Sequence, residues 1–168
     1  MQDPDQFLAP YVTPGMLEPG PGMGFFTLPL AKRVGSGRVV AVDIQAKMLE
    51  ALRRRTKKAG LMHRIETRLA APGSLGVGDL EAQVDFVLAV AMVHELPSAE
   101  TFFREAAAAL KPGGRLLLAE PSGHVNQAKF DEELAFANTA GLEITDRPAF
   151  RRSLAAELTK RGTKGRIE

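Results

Sequence analysis

Glu18-Pro19-Gly20-Pro21-Gly22-Met23-Gly24 sets a carboxylate ahead of three glycines at alternate positions. Glycines spaced this way let the chain turn sharply and let a ligand approach the main chain closely. Phe25 stands where a G-x-G-x-x-G pattern needs its third glycine, which counts against a dinucleotide pyrophosphate. Glu18 points the same way, because a carboxylate would repel a pyrophosphate but could pair with the ammonium group of an amino acid. A plain strand-to-helix turn would use the same glycines. Asp43 follows 19 residues after Gly24, at the end of the run Val39-Val40-Ala41-Val42. A strand-end carboxylate there can accept hydrogen bonds from both hydroxyls of an adenosine ribose. A solvated acid is the bland alternative, and the glycine loop ahead of it favours the ligand. A third group is His94, Glu95, Glu120 and His124. Histidine titrates near neutrality and suits general-base work. His94 could equally serve as a residue at the start of a helix that hydrogen-bonds the backbone. A metal held by His94, Glu120 and His124 fits on ligand type, but no fixed spacing supports it, so no metal is expected.

These residues need elements to hold them, and the chain alternates short apolar runs with helical patterns. Met16 and Leu17 lead into the glycine loop, and residues 25–34 read as a helix stopped by Gly35-Ser36-Gly37. Arg38 to Asp43 is β-branched and reads as a strand. Residues 46–59 form a helix with Met48, Leu49 and Leu52 on one side, a basic face on the other and Gly60 at its end. Strands are expected at Arg64 to Ala70, at Val84 to Val93 and at Arg115 to Ala119. A helix starts at Ser98 and runs through Leu110, and a second starts at Asn126 and is stopped by Gly141. Leu142 to Phe150 and Ser153 to Leu158 read as two closing strands. Such alternation argues for an α/β fold with a mostly parallel, doubly wound sheet and right-handed crossovers. In such sheets the ligand lies beyond the C-terminal strand ends, at the switch point.

Four segments together resemble the class I S-adenosylmethionine-dependent methyltransferases. Leu17 to Phe26 is similar to their first motif, and Val40-Ala41-Val42-Asp43-Ile44-Gln45 with Met48-Leu49 to their second. Val84 to Ala89 followed by Val93-His94-Glu95-Leu96-Pro97 resembles the fourth, and Ala109 to Leu118 the fifth-strand motif. The look is that of small single-domain bacterial and archaeal members with a His-Glu-Leu/Val-Pro variant. The resemblance implies a Rossmann-like, seven-stranded, mostly parallel sheet with an antiparallel closing strand. It implies S-adenosyl-L-methionine as cofactor and S-adenosyl-L-homocysteine as product. By the same resemblance Glu18 would orient the methionine ammonium, and Gly20, Gly22 and Gly24 would lie against the methionine moiety. Asp43 would hold the ribose, Ile44 and Met48 would wall the adenine, and Ala89 and Val90 would line the sulfonium end. His94, His124 and Glu120 are the catalytic candidates. Leu69-Ala70-Ala71-Pro72 holds no acid where many members use one for the adenine amino group. That contact would then fall to backbone atoms or to another residue.

Composition narrows the chemistry. The chain has 168 residues, expected as a single domain with residues 1–11 and 159–168 as peripheral tails. It has no cysteine, which removes cysteine-dependent pyrimidine C5 and arsenite methylation as well as disulfides. Ala89-Val90-Ala91-Met92 stands where an Asn-Pro-Pro-Tyr type tetrapeptide marks amino methylation of bases and glutamine. Ala89 also gives no acid for a divalent metal of the catechol type. A small-molecule O-, N-, S- or C-acceptor is left. The rival readings are an RNA methyltransferase and a non-catalytic cofactor-binding domain. RNA would use Arg53-Arg54-Arg55, Lys57, Lys58 and the tail with Lys160, Arg161, Lys164 and Arg166. Only 6% of residues are aromatic and none interleave with these charges, so nucleic acid is disfavoured. No run of 18 apolar residues and no signal-peptide pattern is present, so a cytoplasmic location without membrane contact is expected. At this length no inserted lid is expected, and the acceptor pocket is expected to be open or covered by a second subunit of a homodimer.

Overall fold

The computed structural model describes residues 3–150 and 152–162. Its strands are Gly15–Pro19 (β1), Arg38–Asp43 (β2), Ile65–Leu69 (β3), Val84–Val90 (β4), Leu110–Pro121 (β5), Leu142–Asp146 (β6) and Ser153–Lys160 (β7). Its α-helices are Pro4–Leu8 (α1), Thr27–Arg33 (α2), Ala46–Lys58 (α3), Ala99–Ala109 (α4) and Gln127–Thr139 (α5). The local reasons are those of the sequence. Ser98 accepts from the Thr101 amide at 3.1 Å and Asn126 from the Lys129 amide at 2.9 Å, so both side chains cap helices. The last turn of α3 carries Arg55, Lys57 and Lys58, where cations complement the helix C-terminus.

The strands form one sheet in the order β3-β2-β1-β4-β5-β7-β6. β1 to β5 pair in parallel, and β7 lies antiparallel to both of its neighbours. This is the Rossmann-like, doubly wound sheet with an antiparallel closing strand. The chain leaves β1 for β2 on one side and returns to place β4 on the other. The switch point between β1 and β4 opens a crevice above the C-terminal strand ends.

Apolar residues cover both faces of the sheet. Leu17, Val87 and Leu118 pack towards Phe102, Phe103, Phe130 and Leu134 of α4 and α5. Met16, Phe86 and Leu117 pack on the other face with Leu30 and Leu52 of α2 and α3. Residues 3–11 of the expected N-terminal tail contribute here. Asp3 caps α1, Leu8 and Tyr11 are buried, and the Tyr11 ring stacks on Phe86 at 5.2 Å. Burying each such side chain is worth about 1.5–3 kcal/mol, enough to hold a short segment down. At the other end Thr159 and Lys160 extend β7, while residues 163–168 of the expected tail, with Lys164 and Arg166, lie outside the described residues.

Several boundaries differ from the sequence expectation, and β5 starts at Leu110 rather than at Arg115. α2 starts at Thr27 rather than at Phe25. β4 ends at Val90, because Ala91 takes φ +53 and the chain then winds into a 3-10 turn at Val93–Glu95. β6 stops at Asp146, well before Phe150.

Candidate active site

The crevice at the switch point is a cavity of about 260 Å³. Its floor is the loop after β1, with Pro19, Gly20 and Gly22, and the end of β2, with Val42, Asp43 and Ile44. Gln45 and Met48 continue the wall from α3. Opposite them stand Ala70, Ala71 and Leu75 after β3, Ala91 and Met92 after β4, and Leu96, Pro97 and Phe102 leading into α4.

The three glycines of the loop have separate roles. Gly20 has φ +67, and its amide donates to the Val42 carbonyl at 2.8 Å, which ties the loop to β2. A Cβ there would come within 3.0 Å of Met92 Cβ. Gly22 has φ +54 and a Cβ there would meet nothing within 4 Å, so bare backbone faces open space. Gly24 does not line the cavity. At φ +90, a Cβ would lie 2.5 Å from Leu52 Cδ1, so this glycine lets the loop seat on α3.

Asp43 sits at the cavity edge, and its Oδ1 accepts from the Gln45 amide at 2.9 Å. That bond fixes the carboxylate and leaves Oδ2 open. Ile44 is 55% exposed, a large apolar side chain held at the cavity wall beside Met48. Glu18 lies beneath the loop rather than in the cavity lining and is 3% exposed. Its Oε2 has no partner, and the Thr27 hydroxyl beside it is also unpaired. Burial pushes its carboxyl up to about 7, opposed by the Thr27 hydroxyl. Ala89 is fully buried in β4 and Val90 half-buried, and the wall from this segment is made by Ala91 and Met92 just beyond them.

The loop after β3 has no acid of its own, but α4 supplies one. Glu105 lines the cavity, its Oε1 accepting from Ser74 Oγ at 2.7 Å and its Oε2 from the Leu75 amide at 2.8 Å. No sequence spacing links residues 74 and 105, so this wall is visible only once α4 has packed.

His94, Glu120 and His124 come together above the ends of β4 and β5. Glu120 is fully buried. Its Oε1 accepts from the amides of Val93 at 2.9 Å and Met92 at 3.3 Å, and its Oε2 is hydrogen-bonded to His94 Nδ1. The carboxylate therefore holds both the imidazole and the segment that walls the cavity. The His94 side chain is 16% exposed, and its ring stacks on that of His124 with centroids 5.7 Å apart. No group of three His, Asp or Glu side chains with metal-binding geometry occurs among the described residues.

Three basic residues of α3, Arg53, Arg54 and Arg55, are engaged locally. Arg53 bonds Thr67 Oγ1 at 2.7 Å, Arg54 pairs with Glu50, and Arg55 donates to the Met23 carbonyl. Arg161 pairs with Glu143 at 2.6 Å.

Among solved structures, an S-adenosylmethionine-dependent methyltransferase from Aquifex aeolicus is similar at 22% identity and TM-score 0.80. It covers 94% of this chain and 89% of its own. One from Mesorhizobium loti is similar at 15% identity and TM-score 0.73, covering 93% and 95%. The [4+2]-cyclase SpnF is similar at 21% identity and TM-score 0.72, with 86% of this chain covered but only 58% of SpnF. None of the curated proteins matches the sequence. Residues 17–118 match the family described as "Methyltransferase domain", a span from β1 through most of β5 that includes the glycine loop, Asp43 and His94, and the chain belongs to this methyltransferase family.

Proposed function

We propose that the protein transfers the methyl group of S-adenosyl-L-methionine to a small-molecule O-, N-, S- or C-acceptor, with His94 as general base. The observation that carries this reading is the buried Glu120 carboxylate, which orients His94 and braces the cavity wall at once.

The cavity suits the cofactor on two counts. The bare backbone at Gly22 faces open space that a side chain would fill, and an exposed Ile44 is held where an adenine face could cover it. Asp43 would accept from the ribose hydroxyls through Oδ2 and the remaining lone pair of Oδ1. Ile44 and Met48 would wall the adenine, and Glu105 or the loop it pins would meet its amino group. Gly20 and Gly22 would lie along the methionine moiety, with Glu18 beneath them orienting its ammonium group through water or the loop. The sulfonium end would face the segment that continues Ala89 and Val90 into Ala91 and Met92. Bound there, the cofactor supplies an electrophilic methyl group for an in-line displacement.

The protein's own part is alignment and proton removal. Glu120 accepts at His94 Nδ1, which leaves Nε2, 3.9 Å from Glu95 Oε1, as the proton acceptor. His124 stacks on that ring and would help to seat the acceptor. A polyanionic acceptor gains no support, since Arg53, Arg54 and Arg55 are held by neighbours on the protein. Calorimetry with S-adenosyl-L-methionine tests the cofactor, and absence of binding at millimolar concentration would end this reading. Release of S-adenosyl-L-homocysteine across a panel of small hydroxyl, amine, thiol and carbon acids then tests the acceptor class.

A further inference from the structure

The chain has nine phenylalanines and one tyrosine, and six of these ten rings stand in one row. Phe86 is buried in β4 and stacks on Tyr11 at 5.2 Å. Tyr11 meets Phe7 at 5.7 Å, Phe7 meets Phe150 at 4.4 Å, and Phe150 meets Phe26 at 6.5 Å. Phe26 meets Phe25 edge-on at 4.9 Å. The inner rings belong to the core, but Phe7, Phe26 and Phe150 are only half-buried and Phe25 is 47% exposed. Scattered exposed apolar residues are ordinary, whereas a contiguous open set beside an active site marks a binding surface.

Two anchors place the outer end of the row there. Phe25 and Phe26 follow Gly24 directly, at the end of the loop that floors the cavity. On the other side Ser122 donates from its amide and from its hydroxyl to the Arg152 carbonyl, both at 3.0 Å. The Ser153 amide donates to the Phe150 carbonyl, also at 3.0 Å. Arg152 takes φ +57, a conformation that costs a residue with a side chain, and the bonds from Ser122 hold it. The segment carrying Phe150 is thereby tied to the turn after β5, two residues before His124, whose ring stacks on His94. Val90, at the end of β4, packs in the same cluster as Phe7 and Phe26. The ends of β1, β4, β5 and β7 thus bring two imidazoles and two half-open phenyl rings to one edge of the sheet.

We propose that this edge is an aromatic subsite, and that the methyl acceptor is a flat aromatic compound bearing a ring hydroxyl, seated against Phe26 and Phe150 with its oxygen towards His94. The inference rests on the methyl transfer proposed above. Ring faces select a ring, since aromatic pairs gain contact energy that an aliphatic ring of the same size does not. The base selects the hydroxyl. A phenolic group has a pKa of about 10, within reach of an imidazole, whereas an aliphatic alcohol holds its proton as water does, to about 15.7. The phenolic oxygen bonds to the methyl carbon as the carbon–sulfur bond breaks, and the electron pair of that bond stays on sulfur. The phenolic proton passes to His94 Nε2 and from there to solvent. Phe26 and Phe150 are then specificity-determining residues that take no part in the chemistry.

Binding can be read without turnover. With S-adenosyl-L-homocysteine saturating, fluorine nuclear magnetic resonance follows 4-fluorophenol and 4-fluorocyclohexanol as probes. The parent protein should bind the phenol about tenfold more tightly, the ratio that two ring contacts give. Phe150→Leu keeps an apolar side chain and removes the flat face, so the preference should fall below about threefold, and Phe150→Tyr should restore it. Phe26→Leu should lose the preference in the same way, which covers the case of a Phe150→Leu chain that fails to fold. Equal binding of the two probes by the parent would overturn the proposal, as would an unchanged preference in either folded leucine variant. A loss that Phe150→Tyr does not restore would make Phe150 structural and would also overturn it. In turnover, phenols should release S-adenosyl-L-homocysteine faster than cyclohexanols, and the opposite order would overturn the acceptor class. A ring preference that depends on Phe150, with no acceptor of any kind methylated, would leave the aromatic subsite standing and remove the transfer reaction. Methylation of aliphatic acceptors without a ring preference would do the reverse.

Discussion

Glu18 is a buried carboxyl whose proton should be displaced when the cofactor's ammonium group arrives. Its folded-state value is about 7 against an ordinary 4.5. Between those values the folded protein holds a proton that the unfolded chain does not, so stability falls as pH rises. The stabilisation is complete below pH 4.5 and is lost above pH 7. At about 1.4 kcal/mol for each pH unit, the whole span is worth about 3 kcal/mol. The part between pH 5.5 and pH 8.5 is about 2 kcal/mol by the same conversion. Glu18→Gln removes the titration and keeps the shape. Any cost of burying the amide is the same at both pH values and cancels in the comparison. Urea denaturation of parent and variant at pH 5.5 and 8.5 should therefore show the parent losing about 2 kcal/mol relative to the variant as pH rises. At pH 6, cofactor binding to the parent should release nearly one proton, measured from the dependence of calorimetric heat on buffer ionisation enthalpy. The variant should release none and bind more weakly. A parent–variant difference that stays constant across pH, within about 0.5 kcal/mol, would refute the reasoning about burial.

Asp43→Ala should weaken S-adenosyl-L-homocysteine binding by about a hundredfold, since hydrogen bonds to a charged acceptor are worth about 1.5–3 kcal/mol each. Calorimetry finding a change under threefold would remove Asp43 from the ribose site. His94→Ala should lower kcat by about 10²–10⁴, the usual share of a general base, while cofactor affinity stays within about twofold. Matched losses in both would make His94 structural. The loop glycines should separate cleanly. Gly22→Ala should cost only the left-handed backbone penalty of about 1 kcal/mol yet sharply reduce cofactor binding. Gly24→Ala drives a Cβ to 2.5 Å from Leu52 Cδ1 and should cost about 2–4 kcal/mol in denaturation midpoint analysis. Equal behaviour of the two would mean that the loop is seated differently.

Much of the crevice floor was legible in the residues, because its parts are local. A glycine that must take positive φ, a β-branched run and a strand-end acid are neighbours in the chain, and their meaning survives without tertiary contacts. The α1 segment was legible in principle as well. Asp3 ahead of Pro4 is a helix start, with Leu8 and Tyr11 as the apolar side. So short a helix has no stability of its own, and the segment is held by packing of Tyr11 on Phe86. Gly24 was grouped with its neighbours because nothing in the spacing shows Leu52 beneath it. The burial of Glu133 on α5 was invisible for a stronger reason. In Asp131-Glu132-Glu133 it reads as one more solvent-facing acid.

The alternation of strands and helices, the glycine loop and the strand-end carboxylate are properties of the chain alone, since each follows from backbone preference and side-chain period. Tertiary structure decided which acids are buried. It joined His94 to Glu120 across 26 positions, brought Glu105 to the loop after β3, and shut Glu18 and Glu133 away from water. The protonation of a carboxyl depends on desolvation and on charges that distant segments bring near. That is why the elements around the crevice could be read from the chain, while the burial and protonation of its acids could not.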